Sequence, residues 1–188
     1  MKPLYQGKID TFCAFYAVLN ALRLTHSIRT LKAREIFNDI LMQLVSQPER
    51  FRAVLEQTTD YIDLVDEMLE YSAARMPLRI QRPFQPHEAV AKERFWTCCN
   101  AWMNGDANRT AIFRFKRYTD PHGKPIVRHW TTIAKMDDNN LDLYDSSHEA
   151  DSIQHLAKSN IVTDQSQIAQ NILLYVQPDS LRLVGLPF

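Results

Sequence analysis

Between residues 11 and 104, apolar side chains return every three or four positions, the spacing of helices that each bury one face. Phe12, Phe15, Tyr16, Leu19 and Leu22 form the densest stripe. A polar run from Tyr5 to Asp10 leads into it, with Asp10 or Thr11 placed to accept a bond from an unpaired backbone N–H at the helix start. After a polar break at 26–30, Thr30 is placed to cap a second helix carrying Leu31, Ile36, Phe37, Ile40, Leu41 and Leu44. Pro48 opens a third helix at the first-turn position proline tolerates, followed by Phe51, Val54 and Leu55. A fourth spans 59–74 through Tyr61, Leu64, Val65, Met68, Leu69 and Tyr71, and its acids Asp60, Asp63, Asp66, Glu67 and Glu70 read as a solvated face. A short strand at 77–81 stops at Pro83 and Pro86. A fifth helix at 87–103, with Val90, Phe95, Trp96, Cys99 and Trp102, closes at Asn104-Gly105-Asp106.

The period then shortens to two. Residues 110–118 alternate as a strand, the Asp/Pro/Gly-rich segment 119–125 supplies a turn, and 126–136 and 141–145 form a hairpin around Asp137-Asp138-Asn139-Asn140. A short helix at 150–158 and a last strand at 171–176 complete the reading. The pattern therefore predicts an α+β fold in one domain over 1–188, with a helical lobe at 1–104 and a β lobe at 105–188. No internal repeat or low-complexity segment interrupts it.

Composition removes several classes of function. With 188 residues, 45% hydrophobic and 23% charged, the chain can bury a core and is not of disordered type. Its 22 basic and 22 acidic residues cancel, which gives no electrostatic case for nucleic acid or an anionic membrane as partner. Four glycines form no phosphate-binding or dinucleotide fingerprint, so no cofactor is expected. Three cysteines, with Cys98 and Cys99 adjacent, make no disulfide framework and suit a reducing compartment. The N-terminus has no apolar signal core and no run reaches membrane-spanning length, so the expected location is cytoplasmic, or outside the cell by a route without a cleavable signal.

Two stretches carry chemistry. With Asp10 as the cap, Cys13 is the third helical residue, where free N–H groups and the positive end of the helix dipole favour a thiolate. A buried core cysteine is the other reading of that position. In the hairpin, His129 and Asp145 are sixteen residues apart. A loop of odd length sets Asp145 opposite Thr131 and Ser147 opposite His129, so that His129 and Asp145 share a face as diagonal neighbours about 7–8 Å apart at the backbone. A loop of even length puts them on opposite faces. Trp130 and Thr132 face away from His129, and Tyr144 faces away from Asp145. A carboxylate within reach of an imidazole can hold its tautomer.

Gln6, then Cys13 at a helix start, His129 opening a strand and Asp145-Ser146 ending the next resemble the papain-like cysteine peptidases, closest to compact bacterial members such as the double-glycine leader peptidases. The resemblance implies a helical lobe, a β lobe and a site in the cleft between them, with a protein or peptide as substrate. It implies Cys13 as nucleophile, His129 as its base, Asp145 orienting His129 where many relatives carry asparagine, and Gln6 as oxyanion donor together with the Cys13 backbone N–H. Ala14 stands where glycine is usual, and Gln6 is one residue further from the cysteine than is usual. Other acyl-transfer enzymes with the same residue set, such as transglutaminases, deamidases and acyltransferases, are an alternative, as is a catalytically dead peptide-binding module.

Elsewhere the signals are plainer. Cys98 and Cys99 read as packing residues, although either can rival Cys13. Asp137–Asn140 lacks the spacing of a calcium loop and reads as a turn. His122, His148 and His155 lack metal-ligand spacing, so no metal is expected. Nothing in the pattern fixes an oligomeric state.

Overall fold

A computed structural model describes residues 2–6, 11–59, 61–147 and 153–187. Five helices occur among them: α1 Cys13–His26, α2 Thr30–Val45, α3 Pro48–Leu55, α4 Ile62–Ala73 and α5 Lys92–Met103. Seven strands, β1 Arg79–Gln81, β2 Arg109–Arg117, β3 Val127–Met136, β4 Asn140–Leu143, β5 His155–Ala157, β6 Ile161–Val162 and β7 Leu174–Gly185, form one mostly antiparallel sheet in the order β1-β7-β2-β3-β4-β5, with β6 parallel to β7. The fold is α+β. No helix among the described residues is long and apolar enough to cross a membrane.

Strand alternation divides the core. Ile112, Trp130 and Val184 face α1, α2 and α4, while Ala111, Phe113, Phe115, Ile133 and Leu183 face α5. The sheet thus lies between the first four helices and the fifth. The sequence division at residue 104 is not a spatial one: α5 packs on the far face, and β1 joins the sheet through β7. Trp96 Nε1 donates to Asp137 O at 2.9 Å and Asn100 Nδ2 to Asp138 Oδ1 at 3.0 Å, so α5 also grips the β3–β4 turn.

Several expected boundaries shift. Arg29, not Thr30, is the N-cap of α2, and its side chain makes no capping bond. The fifth helix starts at Lys92, since His87 takes a left-handed turn conformation at φ 62°. The helix expected at 150–158 is, over its described part, strand β5 and a single 3-10 turn. The last strand begins at Leu174 and runs on through Pro178 to Gly185, because a register break absorbs the proline. There Ser180 Oγ accepts from the Arg114 N–H at 2.8 Å. The acids of α4 are not simply solvated. Asp66 binds Arg182, 3% exposed, through both its oxygens at 2.6 and 2.9 Å, and accepts from Arg82 as well. Glu67 pairs with Arg50 and Glu70 with Arg82. Asp60 lies outside the described residues.

Candidate active site

Helix α1 is buried almost all round, which suits its run of apolar residues. It begins at Cys13 itself, with Phe12 as N-cap and no side-chain capping bond. Cys13 is therefore the first helical residue rather than the third. Asp10 lies outside the described residues, and the Thr11 hydroxyl donates to Val54 O at 3.3 Å. The intrahelical ladder starts with Tyr16 N–H to Phe12 O, so the first-turn N–H groups have no helical acceptor.

His129, the third residue of β3, is 6% exposed, with its ring edge-on to Phe115 across the strand pair. Its Nε2 lies 3.0 Å from Asp145 Oδ2. His129 also shares a side-chain hydrogen bond with Cys13. Cys13, His129 and Asp145, 132 residues apart in sequence from first to last, thus form one contiguous chain of contacts.

A bulge makes that alignment. At the turn the pairing is Met136↔Leu141 and Lys135↔Asp142, the even register, which would continue to place Asp145 opposite Thr132 and away from His129. Ala134 is an extra residue, and beyond it the register is Ile133↔Leu143. That shift carries Asp145 to the His129 face. Thr131 Oγ1 donates to Asp145 Oδ2 at 2.6 Å, and the Ser147 N–H donates to Oδ1 at 2.8 Å. Ser147 Oγ lies 3.4 Å from His129 Nε2. Thr131 and Ser147 are thus members of the site that the sequence reading placed by register without giving them a role.

Charge distribution follows from these contacts. Burial alone would raise the Cys13 pKa, but the hydrogen bond and charge of His129, with backbone N–H bonds from Trp130 and Ala14, bring it below that of an ordinary thiol. Burial would lower the His129 pKa, and bonds to Asp145 and Cys13 raise it well above the usual imidazole value instead. Asp145, also buried, is brought down to about 2, chiefly by its bond to His129. Cys99 goes well above an ordinary thiol through burial and the neighbouring Cys98, and burial raises Cys98 too. Of the three thiols, only Cys13 is shifted toward thiolate.

Gln6 sits beside this set. Its N–H donates to Ser146 O at 2.8 Å, and its side chain lines a cavity of about 80 Å³ together with Cys13, His129, Trp130, Thr11, Gln57, Tyr61, Arg114 and Arg128. The carboxamide Oε1 is buried with no partner among the described residues. Asn20, fully buried two turns along α1 from Cys13, holds the Gln6 segment: it accepts from Leu4 N–H at 2.7 Å and donates to Leu4 O at 3.2 Å. A polar residue inside an apolar helix stripe was the signal for that role. Thr132 Oγ1 donates to Ala17 O at 2.8 Å and fastens α1 to β3 from the face predicted for it.

Gln57 and Tyr61, on the α3–α4 connection, line the cavity in left-handed conformations at φ 55° and 66°. The Tyr61 hydroxyl donates to Val54 O at 2.8 Å, and burial with the nearby Cys13 charge pushes its pKa up to about 12. The remaining sequence candidates fall elsewhere. Asp137 Oδ1 accepts from the Asn139 and Asn140 N–H groups, closing a turn. His155 pairs with Asp142, His122 lies in an exposed turn, and His148 lies outside the described residues. Among the described residues, no group of three or more His, Cys, Asp or Glu side chains could hold a metal ion.

No protein-family model matches the chain, and no curated protein matches it in sequence.

Proposed function

We propose that this protein is a papain-like cysteine peptidase that cleaves a peptide or isopeptide bond through a Cys13-His129-Asp145 triad. The observation that carries the reading is one imidazole held by Asp145 at 3.0 Å and also hydrogen-bonded to Cys13. The Cys13 thiolate attacks the carbonyl carbon. The oxyanion is received by the Cys13 backbone N–H at the open start of α1 and by the Gln6 carboxamide N–H. As the tetrahedral intermediate collapses, the C–N bond breaks and His129 gives its proton to the leaving amine. Water, deprotonated by His129, then attacks the thioester, releasing the acid and restoring the thiolate–imidazolium pair. Asp145, an acceptor-only carboxylate at every pH the cell offers, keeps the ring turned toward Cys13, and Thr131 and Ser147 keep Asp145 in place.

A proteome-derived peptide library, incubated with the protein and with Cys13→Ala and read by mass spectrometry, tests this. New termini that depend on Cys13 are expected. A mass gain of about one unit at glutamine, without cleavage, would assign a deamidase instead, and thioester transfer to an added amine a transferase. Identical products with Cys13→Ala would remove Cys13 as nucleophile.

A further inference from the structure

The sheet face that carries Ile112 and Trp130 under the helices continues past the start of α1, and on β2 and β3 its next residues are cationic, with Gln177 and Tyr175 of β7 beside them. Register places Arg114 opposite Trp130 and Lys116 opposite Arg128, so Arg114, Lys116 and Arg128 share that face beside Cys13. Like charges directly across a strand pair destabilise a sheet, so the Lys116–Arg128 juxtaposition costs the fold something, while Lys116 Nζ also lies 5.4 Å from the centre of the Tyr175 ring. In a chain whose charges cancel overall, this strip is a local concentration of positive charge.

Arg114 and Arg128 both line the cavity at Cys13, and none of the described lining residues is a carboxylate. Asp145 is 3% exposed, behind the imidazole, with both oxygens engaged. Arg114 is 7% exposed, fixed by Ser180 through its backbone N–H, and its Nη1 donates to a neutral acceptor, Gln177 Oε1, at 3.3 Å. Its charge reaches Tyr61 in the cavity wall. Arg128 is solvent-exposed, one residue before His129. Two described carboxylates act at this end of the sheet, on Tyr175. Asp164 is bonded to Ser166, and Asp179 accepts from the His87 N–H. The cavity, about 80 Å³, has room for a side chain rather than a large ligand.

We propose that the acyl donor is an acidic polypeptide segment, with a carboxylate beside the attacked carbonyl received by Arg114 and Arg128 and further acids by Lys116. Guanidinium groups take carboxylates in two-point contacts, and a cationic cleft concentrates anionic substrate before contact. This inference rests on Cys13 being the nucleophile. Iodoacetate and iodoacetamide deliver the same alkylation with and without a carboxylate next to the reacting carbon. At pH 6 and low salt, an ordinary thiolate disfavours the anionic reagent. Here iodoacetate is expected to alkylate Cys13 on the order of tenfold faster than iodoacetamide, with the ratio falling to one or below in Arg128→Gln and in about 1 M NaCl, where the Debye length is about 3 Å. A wild-type ratio at or below one, with iodoacetamide still fast, overturns the proposal and leaves the nucleophile standing. Slow alkylation by both reagents removes the nucleophile instead. In that event binding decides: Cys13→Ala protein should retain fluorescein-labelled hexaglutamate over hexaglutamine, and equal binding of the two, or binding unchanged by Arg128→Gln, overturns the proposal.

Discussion

Burial raises the pKa of Cys99 well above that of an ordinary thiol, and raises Cys98 as well, whereas Cys13, also buried, goes the other way because His129 and two backbone N–H groups face its sulfur. Residue type distinguishes none of these cysteines, and placement distinguishes all of them. The sequence made Cys13 legible through its position at the start of an apolar helix. It left Thr131, Ser147 and Asn20 without roles, because a hydroxyl or carboxamide declares its function only through its partner. At this scale Gln6 gives the sharpest expectation. If its carboxamide donates to the oxyanion, Gln6→Ala lowers turnover about a hundred- to a thousandfold with little change in the substrate KM. Steady-state kinetics on a substrate found with the peptide library would check this, and a change confined to KM would assign Gln6 to substrate binding instead.

Among the elements, the β3–β4 hairpin decides whether a site exists. Its turn has the even length that separates His129 from Asp145, and Ala134 reverses the effect by adding one residue on β3. Turn chemistry at Asp137–Asn140 was readable, since Asx residues there bond the following N–H groups. The bulge was not, because alanine carries no signal for one and only packing on both faces fixes it. Deleting Ala134 should therefore carry the even register through the strand, turn either His129 or Asp145 to the other face, and abolish turnover in a protein that still folds by circular dichroism. Retained turnover would show that the pair does not depend on this register. The helix expected at 150–158 failed for a related reason: its described residues pair with β4, and that pairing overrode local preference.

On the scale of the whole molecule, helical and β periodicities were enough to predict an α+β chain with helices leading, but not that the sheet would lie between α1–α4 and α5. Long-range pairing of β1 with β7 and the seating of α5 on the far face leave no trace in local periodicity. The Asp66–Arg182 pair joins α4 to β7 across 116 residues, and Arg182 is nearly enclosed. Removing one partner strands a buried charge, so Asp66→Ala should cost about 3–5 kcal/mol, read as a lowered denaturation midpoint, while an effect below about 1 kcal/mol would mark the pair as a surface contact. In the proposed mechanism this architecture joins Cys13 to His129 as a thiolate–imidazolium pair. The thiolate forms once pH exceeds the lowered Cys13 pKa, and the imidazolium persists until pH exceeds the raised His129 pKa, so the pair exists in the window between the two. The direct measurement is the rate of Cys13 alkylation by iodoacetamide as a function of pH, in the protein and in His129→Ala. A thiolate–imidazolium pair gives a rate that stays high well below pH 7 and moves in His129→Ala to the alkaline titration of an ordinary thiol, about pH 8.5. An alkaline profile already present with His129 in place would contradict it.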